Sequence, residues 1–164
     1  MPLDQLTLFA YSDASHASCP ITGRSVSGSI VFLQNNPVDW SSRPQKTVAV
    51  STVESELMGA TECVKDVMLQ RHLLSEFAQV NEGTRIHLDS EGATFIASTD
   101  KTSANTRHIA VRHFYCREKV LTGEVVFGHV DGIDNPADML TKPLERVKLE
   151  QYATVVMDSI HDHT

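Results

Sequence analysis

The chain has 164 residues, 41% of them hydrophobic and 21% charged, which suits one globular domain with a sizeable core rather than a disordered or fibrous segment. No run of eighteen apolar residues occurs, so no membrane span is expected, and MPLDQLTLFAYSD lacks the basic start and long apolar stretch of a signal peptide. The formal net charge of −7 argues against a surface that grips nucleic acid unaided. Cys19, Cys63 and Cys116 are odd in number and far apart, which excludes a CxxC zinc site and fits a reducing compartment.

In chain order, residues 6–12 read as a strand with Leu6, Leu8 and Ala10 on one face. Residues 26–34, VSGSIVFLQ, read as a second strand, and Asn35-Asn36-Pro37 as a turn. VDWSS and KTVAV give a third strand, interrupted at Arg43-Pro44, and the short links favour an antiparallel meander. The longest helix follows over about 52–78, with Leu57, Ala60, Val64, Val67 and Leu74 at helical spacing and Asn81-Glu82-Gly83 closing it. RIHLD is the fourth strand, 91–98 a short helix, TSANT a loop and 106–121 a helix stopped by Gly123. EVVFGHV is the fifth strand, a helix starts near Asn135-Pro136, Pro143 breaks it, and 145–158 is a terminal helix. The pattern predicts an α/β domain over 1–164 with a mixed sheet, a core at about 6–144 and a mobile tail at 159–164.

Four acids stand where these elements begin or end: Asp13, Glu56, Asp89 and Asp138. Carboxylates converge only around positive charge, and oxygen-only ligand sets favour hard divalent cations, Mg²⁺ above all. Two such ions can clamp the attacking and leaving oxygens of a phosphodiester hydrolysis, so the order Asp, Glu, Asp, Asp points to a two-metal nuclease. Each acid also has a plainer reading. Asp13 reads equally as a turn residue, Asp89 as a helix cap, and Asp138 as a first-turn acid. Glu54 competes with Glu56, but the two lie about 200° apart on a helix. Glu54 stands three residues after Ser51, where a capping box needs it, which leaves Glu56 for chemistry. Asp131 and Asp134 read as loop acids.

Gly128-His129 precedes Asp138 by nine residues, and His129 reads either as a proton shuttle or as a solvated strand-end residue. Candidate substrate contacts are Arg24 and Ser25 in the first hairpin, then Arg43, Gln45, Lys46 and Thr47 before the long helix. Arg107, His108, Arg112 and Arg117 form a second basic group. Trp40 reads as a core residue, the commoner place for a lone strand Trp.

The stretches YSDASHASCPITGRSVSGSIVFL, VDWSSRPQKTVAVSTVESELMGA, IHLDSEGATFIA, TRHIAVRHFYCREKV and NPADMLTKPL carry a resemblance. In these runs, in order from about residue 7 to 144, the chain resembles the ribonuclease H domain of the Pol polyprotein of Ty1/copia-type retrotransposons. The resemblance implies a ribonuclease H fold with strand order 3-2-1-4-5. It implies cleavage of the RNA strand of an RNA/DNA hybrid, leaving 5′-phosphate and 3′-hydroxyl ends. Asp13, Glu56, Asp89 and Asp138 become the ligands of two Mg²⁺ ions, with Mn²⁺ able to substitute, and Asp13 bridges them. His129 falls near a loop histidine that many ribonucleases H carry. The implied partner is the reverse transcriptase domain of the same polyprotein, and the implied place is a cytoplasmic virus-like particle. The pattern departs at SHASC, at Leu57, where the family commonly has Tyr, and at His113-Phe114, none of which is a proposed ligand. The rival reading is a non-catalytic ribonuclease H-like domain that supports a neighbouring polymerase; inert relatives usually lose an acid, and this chain keeps four.

Overall fold

The computed structural model describes residues 6–98 and 110–157. Its centre is a five-stranded sheet in the order β3-β2-β1-β4-β5. The strands are β1 (Leu8–Ser15), β2 (Val26–Leu33), β3 (Asn36–Pro44), β4 (Thr84–Leu88) and β5 (Val125–His129). β1, β2 and β3 pair antiparallel, while β4 joins β1, and β5 joins β4, in parallel. This mixed α/β sheet is the architecture and strand order expected from the sequence.

Helix α1 (Thr52–Ser75) covers one face of the sheet, with α2 (Glu91–Ser98) and α3 (Ala110–Leu121) beside it. Leu8, Ala10, Val31, Ile86, Leu88 and Val125 from the sheet meet Leu57, Ala60, Val64 and Val67 of α1 in one fully buried core. Glycine lets α1 come close: a Cβ on Gly59 would stand 3.2 Å from the Asp13 carbonyl. A 3-10 helix, Pro136–Leu140, lies against β1 and β2, and α4 (Arg146–Met157) packs on that helix and on β3.

Several local expectations are corrected. β1 runs on to Ser15, so Asp13 lies inside the strand, opposite Gly28. The β2–β3 turn is Gln34-Asn35, both at positive φ (50° and 69°), the geometry that a two-residue hairpin matched to strand twist demands. KTVAV is not a strand: β3 ends at Pro44, which has no N–H to continue the ladder, and the chain turns towards the Ser51 cap of α1. Trp40 is 66% exposed rather than core, because β3 is the sheet edge. The expected helix near Asn135 is a single 3-10 segment of five residues. The TSANT loop, the first residues of the expected 106–121 helix and the 159–164 tail lie outside the described residues.

Candidate metal centre

Three elements deliver three acids to one place. β1 supplies Asp13, the first turns of α1 supply Glu56, and Asp89 follows directly on β4. One carboxylate oxygen from each lies within 4.8 Å of the others. Asp13 is 2% and Glu56 4% exposed. The capping box explains the choice of Glu56. Ser51 Oγ accepts from the Glu54 N–H at 3.1 Å, and the Glu54 carboxylate accepts from the Val50 N–H at 2.6 Å. Glu54 is thereby turned to the helix start, and Glu56 faces β1.

Negative charge is stressed here. Burial, then the charges of Asp13 and Asp89, push the Glu56 carboxyl up to about 9. Burial is also the main cause that raises Asp13, and it raises Asp89. Glu56 Oε2 is buried and has no hydrogen-bond partner among the described residues. An orphaned buried carboxylate oxygen beside two further carboxylates is the donor set of a hard divalent cation, so these residues fit the implied ion.

Asp138 stands apart from that group of three. It is 3% exposed in the 3-10 helix, and both of its oxygens are taken by lysines. Lys142 pairs with Oδ1, and Lys148 of α4 donates to Oδ2 at 2.6 Å. Burial alone would lower the Lys142 ammonium; its bond to Asp138 and the charge of Asp13 outweigh this and raise it. The 3-10 helix is tied to β1 at two points. Asn135 Nδ2 donates to the Ser12 carbonyl at 2.9 Å, and the Thr141 hydroxyl donates to Asp13 Oδ2. Gly28 makes the close approach possible: a Cβ there would stand 2.8 Å from Thr141 Cγ2 and 2.9 Å from the Ala137 carbonyl.

The remaining candidates are scattered. His129 is exposed at the end of β5, close enough to Asp89 to interact electrostatically. Arg43, Gln45, Lys46 and Arg112 line a cavity of about 100 Å³ with Ser27, Pro44, Met58 and Glu62. Gln45 Nε2 donates to the Ser55 carbonyl at 2.9 Å, which ties this cavity to the first turn of α1. Asp66 of α1 holds Arg43 at 3.3 Å and accepts from Ser29 at 2.9 Å. Thr47 and Arg24 are exposed, on either side of β2 and β3. Ser25 is not a surface contact: it is fully buried, and its hydroxyl accepts from the Ala17 N–H at 3.0 Å to close the first hairpin loop. Arg107 and His108 lie outside the described residues. Sequence reasoning missed Thr141, Lys142 and Lys148; the first two lay within the quoted NPADMLTKPL run, and nothing in the pattern marked the third.

Comparison with known proteins places this arrangement. No family model matches the chain. It is 34% identical over 149 residues, 90% of its length, to the retrovirus-related Pol polyprotein from transposon RE2 of Arabidopsis thaliana. It is 32% identical over 87% of its length to the corresponding polyprotein from transposon TNT 1-94 of Nicotiana tabacum. The chain spans about a tenth of these relatives' length, 10% and 11% respectively. Among solved structures it is similar to a ribonuclease H1 isolated from compost, with a TM-score of 0.60 and 15% identity over 84% of this chain and 93% of that one. The ribonuclease H1 of Halobacterium salinarum gives 0.58 and 17% over 82% and 94%. The compost enzyme has also been solved in complex with an RNA/DNA hybrid, and that structure gives 0.56 and 14% over 82% and 93%. The chain thus has the ribonuclease H fold and is similar, along most of its length, to a stretch of copia-type retrotransposon Pol polyproteins.

Proposed function

We propose that the chain is a divalent-metal-dependent endoribonuclease that cuts the RNA strand of RNA/DNA hybrids during reverse transcription of a retrotransposon. The observation that carries this reading is the orphaned, buried Glu56 Oε2 beside Asp13 and Asp89. A domain kept only for support has no use for three converging acids, two of which raise the pKa of the third.

Asp13, Glu56 and Asp89 would hold Mg²⁺, with Asp138 completing a two-ion set and Mn²⁺ as a substitute. When bound, the ions supply Lewis-acid chemistry that activates a water and offsets charge on the phosphodiester. The chain's own groups do the rest. Thr141 fixes the Asp13 carboxylate through Oδ2. Lys142 reduces the mutual repulsion of Asp13, Glu56 and Asp89. His129, exposed beside Asp89, is placed to pass a proton to solvent. Arg43, Lys46 and Arg112 would take backbone phosphates, with Thr47 and Arg24 further along the strand. Recognition would rest on groove shape and 2′-hydroxyls rather than base sequence.

The acidic total of −7 favours a second reading: a domain that depends on its neighbouring reverse transcriptase for grip, or that only supports it. A hybrid labelled on each strand in turn separates these. RNA-strand cuts with 5′-phosphate ends and an intact DNA strand support the nuclease. No cuts in Mg²⁺ or in Mn²⁺ at low salt support the second reading.

A further inference from the structure

We propose that Lys148 is an internal competitor for divalent cation at the fourth acid: it holds Asp138 as an ion pair in the free protein and has to leave before Asp138 can ligate an ion. This inference rests on the proposed cation site and concerns how that site is filled. Asp138 is 3% exposed, and each of its oxygens is bonded to an ammonium group. The group of acids within 4.8 Å of one another contains Asp13, Glu56 and Asp89 but not Asp138. The two lysines differ in kind. Lys142 sits four residues after Asp138 beside the same 3-10 helix and also faces Asp13, Glu56 and Asp89. Lys148 comes from α4, a separate element beyond Pro143, and its other contact is the Tyr152 ring, 5.3 Å away.

The anchor of α4 does not rest on Lys148 alone, although Lys148 also bonds to Tyr152. Tyr152 is 3% exposed, and its hydroxyl donates to the Gly132 carbonyl at 2.9 Å. The Lys148 side chain is 35% exposed, so it can swing into solvent without unpacking the helix. An ammonium and a divalent cation cannot share one carboxylate oxygen at contact distance, because like charges repel strongly where solvent is scarce. With Lys142 on Oδ1, the release of Lys148 is what frees Oδ2 of Asp138 for an ion, and the three-acid group can take an ion first.

The test is calorimetric titration of the protein with Mn²⁺ alone, without substrate, on the wild type and on Lys148→Met and Lys148→Arg. Lys148→Met keeps the aliphatic stem on Tyr152 and removes the charge; Lys148→Gln serves as a second neutral variant if the first is poorly folded. The expected result is Mn²⁺ binding roughly tenfold tighter, or a second ion bound, in the neutral variants, with Lys148→Arg close to wild type. A purely structural role would move the melting temperature of the metal-free protein and leave Mn²⁺ affinity alone. Equal Mn²⁺ binding by wild type and both neutral variants would overturn the competitor role and leave the cation site standing. No Mn²⁺ binding by any of them would overturn the site itself, and the inference with it.

Discussion

The Thr141 hydroxyl donates to Oδ2 of Asp13 across a sequence separation of 128 residues. One short contact thus joins the segment after the 3-10 helix to the central strand, and it does so on an oxygen of a proposed ligand. Both residues are buried, so the carboxylate has little water to replace the bond. Thr141→Val is expected to lower stability by about 1.5–3 kcal/mol in urea denaturation, the range for a hydrogen bond to a charged group, and Thr141→Ser to recover most of it. A neutral result in Thr141→Val would show that the bond does not hold Asp13.

Gly28 tests the same junction from β2. An added Cβ would press on Thr141 and on the backbone of Ala137, which cannot yield as a side-chain tip can. Gly28→Ala is expected to cost about 1–3 kcal/mol by overpacking and to reduce cleavage more than Thr141→Ser, because the whole 3-10 helix shifts. Unchanged melting and cleavage would mean that the helix is not seated as described.

Stability should fall as pH rises in the metal-free protein. Glu56 stands near 9 in the folded state against an ordinary value of 4.5, and burial also raises Asp13 and Asp89. The folded protein therefore keeps a proton that the unfolded chain has lost, so stability is complete below about 4.5 and is lost as pH climbs towards 9. Thermal melts in EDTA should show this slope, Mg²⁺ should flatten it by replacing the proton, and Glu56→Gln should remove its largest part. A Tm that rises over pH 5 to 9 in EDTA would contradict the sign.

The cavity between the end of β3 and α1 offers Lys46 and Arg112 to phosphates in a chain that is acidic overall. Each contact made should contribute roughly 0.9 to the slope of log affinity against log salt for a duplex. Lys46→Ala and Arg112→Ala, measured for hybrid binding with Glu56→Gln in the background, should each reduce that slope by about one and weaken binding across all sequences. A loss of affinity with an unchanged salt slope would show that the residue shapes the cavity without touching phosphate.

Much of this was legible from the sequence. The meander and α1 followed from alternation and helical spacing, the strand order from the family resemblance, and the Ser51–Glu54 box assigned Glu56 before any geometry was known. What failed depended on tertiary context. Trp40 is exposed because β3 ends the sheet, and Ser25 is buried because it closes its own loop; neither fact has a local signature. Lys148 reaches Asp138 only through the turn at Pro143 and the packing of α4, so no spacing rule finds it. Asp138 was read correctly as an acid at a helix start, but its two lysine partners were invisible in one dimension.

The central claim is that Glu56, and not its neighbour Glu54, works with Asp13 in hydrolysis. The measurement that tests it most directly is cleavage of a strand-labelled RNA/DNA hybrid in Mg²⁺ by the wild type, Asp13→Asn, Glu56→Gln and Glu54→Gln. RNA-strand cleavage by the wild type is expected, with loss of at least roughly a hundredfold in Asp13→Asn and Glu56→Gln, and retained cleavage with a lower Tm in Glu54→Gln. Equal cleavage by the wild type, Asp13→Asn and Glu56→Gln would contradict it.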